Sequence, residues 1–150
     1  TPVPDAIRSW ISHPDDYKII PEGDSFFALP AKQELCYKAI KAELNVMQAG
    51  ICLGCVKGKD VLPDEALALS WLLKDDVFES VELEWKDAVA FLKKENILLP
   101  QAGKGWLLVR FEGVPLGFVK NLGNRVNNAY PQEWRIRMEL DASKYVPFLR

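Results

Sequence analysis

Apolar residues in the first half of the chain recur at helical spacing in three places and at strand spacing in three others. The first helical pattern begins at Pro4-Asp5 and is stopped by His13-Pro14. The turn residues Pro21-Glu22-Gly23-Asp24 separate the first two strand patterns. The helices predicted in this half cover residues 5–11, 31–44 and 64–73, and the strands cover residues 17–20, 25–29 and 46–57.

A new series of elements follows Asp75-Asp76, where we predict the boundary between two units. Alternating polarity predicts a strand at residues 81–84, and apolar residues at helical spacing predict a helix at residues 85–95. After a flexible connection at residues 101–105, Gly113-Val114-Pro115 is predicted to join two strands as a hairpin. Those strands cover residues 106–112 and 116–120, a further strand covers residues 134–138, and an apolar tail at residues 145–149 is expected to dock onto the fold.

Short strands mixed with a few helices indicate an α+β fold made of two small mixed α/β units. The strands of the second half favour a small β-barrel with flanking helices. With 150 residues, of which 49% are hydrophobic, the chain is long enough to bury a core without help.

The composition argues against a membrane or secreted protein. No stretch approaches the roughly 18 apolar residues of a membrane-spanning helix. The first residues, Thr1-Pro2-Val3-Pro4-Asp5, lack the basic and apolar regions of a signal peptide and also lack Met, so we expect the natural protein to extend upstream. Three cysteines without a secretory context favour reduced thiols. We therefore expect a cytoplasmic, monomeric protein with no membrane partner.

The net charge of −2 is unevenly distributed. Residues 1–100 carry 11 Lys/Arg and 17 Asp/Glu, whereas residues 101–150 carry 8 Lys/Arg and 4 Asp/Glu. A basic final third fits a protein that turns one surface toward a polyanion, although chance clustering of solvated charge gives the same counts.

The sequence offers little catalytic chemistry. Neither GxGxxG nor GxxxxGKS/T, the loops that cradle nucleotide cofactors, is present, and His13 is the single histidine. Cys52-Leu-Gly-Cys55 has CxxC spacing, but a strand points residues three apart to opposite faces, and Cys36 does not complete a zinc site. Buried apolar cysteine is favoured over redox or zinc function, and we predict no catalytic, cofactor or metal site in this chain.

Residues 113–137, GVPLGFVKNLGNRVNNAYPQEWRIR, are the most informative stretch. Arg and Lys neutralise phosphates, Asn offers donors and acceptors to base edges and 2′-hydroxyls, and aromatic rings stack on unpaired bases. Asn is also common in turns, and Trp134 suits a core equally well, so a purely structural segment stays open. The candidate RNA contacts are Lys120, Asn124, Arg125, Asn127, Asn128, Tyr130, Arg135 and Arg137, with Lys57 and Lys59 extending the track from the first unit.

This stretch resembles the C-terminal signature of bacterial rRNA (cytosine-5) methyltransferases of the Nop/Sun family, in which LGFxKNxGNRxNNxYPxEWRIR is typical. The matching residues run from Leu116-Gly117-Phe118 to Glu133-Trp134-Arg135-Ile136-Arg137. The resemblance covers most of residues 30–137. Residues 46–50, 53–54, 57–59 and 63–70 resemble the family's preceding domain, and residues 81–83 and 92–95 resemble the start of its PUA-like domain.

The resemblance implies a linking (pre-PUA) domain at residues 1–75 and a PUA-like RNA-binding domain at residues 76–150. It also implies small-subunit rRNA as a partner, together with a catalytic domain absent from this chain that binds S-adenosylmethionine and uses two cysteines. Those cysteines follow Pro or Thr in the family, whereas Cys36, Cys52 and Cys55 follow Leu, Ile and Gly.

We therefore expect an RNA-positioning region of a larger rRNA methyltransferase. Two other classes of function stay open. One is a structural or protein-interaction module that packs on the parent's catalytic domain without touching RNA. The other is a small thiol enzyme that uses Cys52 and Cys55.

Overall fold

The computed structural model describes residues 2–31, 50–141 and 143. The chain divides into two compact units, Thr1–Val77 and Phe78–Arg150, each with one four-stranded sheet. The mixed α/β organisation predicted from the sequence is confirmed by these sheets and the few helices beside them. No helix in the described ranges is long and apolar enough to span a membrane. The assignment of residues 1–75 and 76–150 to a linking and an RNA-binding domain stays a prediction.

The first unit is built on an antiparallel sheet in the order β1-β2-β3-β4. Two-residue turns join β1 to β2 and β3 to β4. The first turn is Gly23-Asp24, because Pro21 and Glu22 of the predicted turn belong to β1, and β4 with the turn before it was not predicted. The strands are β1 (Tyr17–Glu22), β2 (Ser25–Pro30), β3 (Ile51–Lys57) and β4 (Asp60–Pro63), and the short helices are α1 (Asp5–Ser9) and α2 (Glu65–Ala68).

Helix α2 is shorter than the helix predicted at residues 64–73. Asp64 caps it by accepting a hydrogen bond from the backbone N–H of Ala66 at 2.9 Å. The helix then ends early because the hydroxyl of Ser70 accepts a bond from the N–H of Leu72. Leu73 forms an isolated antiparallel bridge with Ile11. This tertiary pairing overrides the helical spacing of the apolar residues in the segment 64–73.

The second unit contains a parallel strand pair crossed by a helix. Strand β5 (Glu79–Glu82) is followed by helix α3 (Trp85–Leu92) and then pairs in parallel with β6 (Gly105–Phe111). Strands β7 (Val114–Asn121) and β8 (Val126–Asn128) extend the sheet in antiparallel order. Within the described residues the pairings run β5-β6-β7-β8 without joining β8 to β5, so the predicted closed barrel is not confirmed.

The β6–β7 turn consists of Glu112 and Gly113, one position earlier than the predicted turn. Both residues have positive φ, 53° and 77°, as a two-residue type I′ hairpin turn requires. That geometry matches the right-handed twist of the two strands, so a turn of only two residues can join them. Val114 and Pro115 therefore belong to β7.

The core of the second unit lies between α3 and one face of the sheet. Phe91 of α3, Val109 of β6 and Val119 of β7 are fully buried. Burial of a side chain of this size contributes roughly 1.5–3 kcal/mol, so this layer holds the strands in place. The buried cluster consists of Leu83, Ala88, Phe91, Ile97, Leu107, Val109, Val119 and Val126.

Strand β5 begins and ends two residues before the strand predicted at residues 81–84, and α3 ends at Leu92 rather than at residue 95. In addition, one predicted strand is wrong and one strand was missed. The strand predicted at residues 134–138 is wrong: Gln132–Trp134 forms a 3-10 turn, and the N–H of Ile136 donates to the carbonyl of Leu92 at the end of α3. Strand β8 was not predicted, because Val126–Asn128 has only one apolar residue and two residues that favour turns.

Several predictions fall outside the described residues. They are residues 32–44 of a predicted helix with Cys36 on it, residues 46–49 of a predicted strand, and the apolar tail at residues 145–149.

Candidate nucleic-acid interface

The asparagine-rich segment forms the β7–β8 connection and β8 itself. Lys120 of β7 pairs with Asn127 of β8 on one side and with Trp106 of β6 on the other. Cross-strand partners project to the same face of a sheet, so these three side chains share a face. It is the face opposite the α3 core, since the neighbouring pair Leu107 and Val119 lies in that core. We call Trp106, Lys120 and Asn127 the outer row.

The outer row combines a cation, an aromatic ring and an exposed amide. The ammonium of Lys120 lies 5.7 Å from the centroid of the Trp106 ring, which is within cation–π range. Asn127 is exposed, and Lys120 and Trp106 are half-buried. The row therefore offers phosphate binding and amide hydrogen bonding side by side on a rigid sheet.

Asn121 and Asn128 have structural roles instead. The amide of Asn121, 4% exposed, donates to the carbonyls of Ala102 and Gly103 at 3.3 and 2.9 Å. Its carbonyl oxygen accepts from the N–H of Gly123 at 3.0 Å. Asn121 thus ties the connection before β6 to the end of β7.

Asn128 ties β8 to the C-terminal end of α3. Its amide donates to the carbonyls of Phe91 and Glu95 at 2.9 and 3.1 Å, and its carbonyl oxygen accepts from the N–H of Tyr130 at 2.9 Å. The ammonium of Lys94 donates to the backbone carbonyl of Asn128 at 2.5 Å. Burial lowers the pKa of Lys94, and the charge of Glu133 opposes that shift.

Three arginines near the β7–β8 connection and after it are available to an external anion. Arg125, Arg135 and Arg137 are exposed. In the part of the chain that the structure describes, no salt bridge or side-chain hydrogen bond engages their guanidinium groups. Such groups bind phosphates without first breaking an internal ion pair.

A further cation, Lys104, was not among the residues selected from the sequence. Its Cε lies 2.9 Å from the point that a Cβ on Gly123 would occupy, so this glycine lets the lysine side chain cross the β7–β8 connection. Gly123 also has a φ of 95°, which L side chains rarely adopt. The signal in the sequence that could have identified Lys104 as a candidate contact was its position as a single lysine between two glycines, Gly103 and Gly105.

Two aromatic residues near the end of this segment differ in exposure: Tyr130, a candidate RNA contact, and Trp134, which was not among the candidates. The ring of Tyr130 packs against that of Phe91, with centroids 5.2 Å apart, and is half-buried. The ring of Trp134 lies edge-on to Tyr130 at 6.3 Å and is 52% exposed. Trp134, which suited a core equally well in the sequence, is therefore the more accessible stacking surface.

Lys57 and Lys59 belong to the first unit. Lys57 is the last residue of β3 and Lys59 is the second residue of the tight turn between β3 and β4, and both are exposed. Their position suits contact with a polyanion, but they are not part of the sheet that carries the outer row.

The cysteines of the CxxC segment lie on β3 with no disulfide between them. Burial, followed by the charge of Asp64, raises the pKa of Cys52 to about 12, and burial also raises the pKa of Cys55. Redox and metal chemistry require the thiolate, which these pKa values disfavour at neutral pH. Both thiols therefore fit a packing role.

Residues 78–136 match a family model described as the methyltransferase RsmF PUA domain. Residues 78–136 are therefore similar to that domain. The match covers α3, the whole sheet of the second unit and Trp134, and it ends one residue before Arg137.

Curated relatives agree with this assignment. Ribosomal RNA small subunit methyltransferase F from three strains of Shewanella baltica, OS155, OS185 and OS195, is 28% identical over 127 residues. The alignment covers 82% of this chain and 25% of each relative, so the chain spans about a quarter of their length. The predicted resemblance to the C-terminal region of a Nop/Sun-family rRNA methyltransferase is confirmed.

Proposed function

We propose that this chain is an RNA-binding region that positions small-subunit rRNA for a cytosine-5 methyltransferase domain of the same protein. The observation that carries the proposal is a set of exposed arginines, Arg125, Arg135 and Arg137, without ion-pair partners among the described residues. The outer row adds a lysine, an exposed amide and an aromatic ring on the sheet face opposite α3. The relatives, named as methyltransferases of ribosomal RNA, support the choice of RNA over other polyanions.

The contacts divide by chemistry. Arg125, Arg135 and Arg137, with Lys104 and Lys120, bind backbone phosphates. Asn124 and Asn127 hydrogen-bond 2′-hydroxyls or base edges, and Trp134 stacks on an unpaired base. Asn128 and Tyr130 support these residues from inside the domain, because their side chains already hold β8 and the following turn.

The cofactor S-adenosylmethionine belongs to the catalytic domain in this proposal. A Rossmann-type site needs glycines between a strand and the helix that follows it. In the β5–α3 connection those positions hold Leu83 and Glu84, a bulky side chain and a carboxylate. The residues of this connection do not fit the cofactor.

The proposal also includes features of the whole protein. The second unit would take the barrel form of a PUA-like domain, and the protein would act as a monomer in the cytoplasm, where rRNA is modified. The first unit would link the RNA-binding domain to the catalytic domain.

Fluorescence anisotropy with small-subunit rRNA fragments, titrated across salt concentration, tests the proposal. We expect binding that weakens steeply with salt, and an Arg125→Ala/Arg135→Ala variant whose salt slope is smaller by about 1 for each arginine. The matched control is Arg8→Ala/Lys86→Ala, which removes two exposed cations elsewhere. Equal losses in both variants, or no binding at low salt, would overturn the proposal.

A protein-interaction module is the second candidate, and one observation favours it. Strand β5 pairs only with β6 among the described residues, and an open groove of about 660 Å³ runs along it. Glu79, Glu82, Glu84 and Asp87 line this groove, which makes it unsuitable for RNA but open to a basic polypeptide segment. Tight binding of the separate catalytic domain together with negligible RNA binding would favour this candidate.

A further inference from the structure

A small cavity of about 120 Å³ lies beside the β7–β8 connection of the second unit. One wall comes from the loop after α3, where Leu98, Leu99 and Pro100 line it. The other wall comes from residues 121 and 123–126, including the side of Val126. The cavity is therefore held between two segments of one domain, with largely apolar walls and a volume close to that of one nucleobase.

The polar groups around the cavity differ in whether they already have hydrogen-bond partners inside the protein. Asn121 lies in its wall, but both amide hydrogens and the carbonyl oxygen of that side chain are already used inside the protein. Asn124 and Arg125 also line the cavity, and both residues are exposed. Two kinds of group are thus left for a ligand, the amide of Asn124 and the guanidinium of Arg125.

A second cation lies at the same place. The Lys104 side chain crosses Gly123, which is itself part of the cavity lining. Arg125 in the lining and Lys104 beside Gly123 thus place two cations next to a cavity whose lining is otherwise largely apolar. Inorganic phosphate alone would find no partner in the apolar interior, and an apolar ligand alone would gain nothing from the cations.

We infer that this cavity binds one unpaired nucleobase of the RNA, with the adjoining phosphates held by Arg125 and Lys104. The inference rests on the proposed function and adds the part of the RNA that the domain recognises. A base paired within a duplex is stacked between its neighbours and does not reach such a cavity, whereas a base in a loop or bulge does. The amide of Asn124 would then meet the hydrogen-bonding edge of the base.

The test compares two RNAs that differ only at one nucleotide. One is a hairpin with a single unpaired adenosine in its stem, and the other has an abasic residue at that position. Anisotropy with the 150-residue chain measures both affinities at the same salt concentration. Because stacking and apolar contact with one base are large terms in single-strand binding, we expect the abasic RNA to bind about tenfold more weakly or worse.

A variant of the protein provides the second arm. Leu98 is 74% exposed, so Leu98→Trp is compatible with folding and places a larger ring beside the cavity. We expect this variant to reduce the affinity ratio of the two RNAs toward one. Val114→Trp, at a position 46% exposed on the β6–β7 hairpin, is the matched control and should leave the ratio unchanged.

The outcomes separate the two proposals. Equal affinity for both RNAs, combined with a loss of binding in the Arg125→Ala/Arg135→Ala variant, would overturn the base-binding cavity and leave the RNA-binding function intact. Absence of salt-dependent binding to either RNA would remove the function and the cavity together. A large ratio that Leu98→Trp alone reduces would support both.

Discussion

At the scale of single residues, Asn127 and Asn128 show how position on a strand separates two identical side chains. They are adjacent in the chain, and strand β8 turns them to opposite faces of the sheet. Asn127 reaches solvent on the outer row, whereas Asn128 caps α3 from the core side. The composition of residues 126–128 does not indicate a strand, and without that strand the two asparagines cannot be assigned to different faces. Both were therefore predicted as RNA contacts.

This difference predicts opposite phenotypes for two alanine variants. Asn128→Ala removes both donors to the end of α3 and should lower the free energy of unfolding by about 1–3 kcal/mol. Asn127→Ala should change that free energy by less than about 0.5 kcal/mol and lower RNA affinity instead. Urea unfolding and RNA anisotropy on both proteins measure the two effects. Equal stability of the variants would show that the Asn128 hydrogen bonds do not hold β8.

Glu65 is a buried carboxyl group whose oxygens are not satisfied by the protein around it. It is 6% exposed, and neither carboxyl oxygen has a hydrogen-bond partner among the described residues. Burial, followed by the charge of Asp64, raises its pKa from 4.5 to about 8. The folded protein therefore keeps this group protonated through most of the neutral range.

The raised pKa predicts a stability that falls as pH rises. Below pH 4.5 the carboxyl is protonated in both the folded and the unfolded chain, so the stability that it contributes is fully present. Between pH 4.5 and 8 only the unfolded chain ionises, and the free energy of unfolding falls by up to about 1.4 kcal/mol per pH unit.

Glu65→Gln should flatten this pH dependence and stabilise the protein at pH 8. Glu22→Gln, at an exposed strand end, is the matched control. Thermal unfolding from pH 4 to 9 gives both profiles. A Glu65→Gln profile that falls as steeply as that of the unmodified chain would contradict the assignment.

At the scale of elements, three strands of the first unit and the strand and helix that begin the second could be predicted because each has a local signal, whereas β4 and the parallel pairing of β5 with β6 were not predicted. Alternating polarity marks β5, and turn residues bound β1 and β2. Apolar and charged side chains also alternate at residues 134–138, but these residues do not form a strand. Their N–H donor at Ile136 is used by the end of α3, a tertiary contact that no local pattern encodes.

The β6–β7 turn yields a prediction at this scale. Gly113 has a φ of 77°, a conformation that costs an L residue with a side chain roughly 1–2 kcal/mol. Gly113→Ala should therefore lower the free energy of unfolding by about that amount. Gly113→Asn should cost less, because Asn tolerates left-handed backbone better than Ala. Equal losses for both variants in urea unfolding would argue that something other than backbone conformation limits the turn.

At the scale of the whole molecule, charge is separated within the second unit. The groove carboxylates Glu79 and Glu82 lie on β5 at one edge of the sheet, with Glu84 and Asp87 at the start of α3, and the outer row ends on β8 at the other edge. The distribution of charge along the sequence showed an excess of cations in the final third but not this division. Strand order creates it, because β5 comes from the acidic part of the chain and is inserted beside β6 by the α3 crossover.

The last prediction concerns whether the first unit shares the RNA. Lys57 and Lys59 are exposed at the β3–β4 turn. If the RNA touches both units, Lys57→Ala/Lys59→Ala should weaken binding similarly for all RNA sequences and reduce the salt slope by about 1 for each phosphate that the variant no longer neutralises. Lys74→Ala, an exposed lysine of the same unit, is the control. An unchanged slope in the double variant would confine RNA binding to the second unit, because a protein that neutralises fewer phosphates must also release fewer counterions.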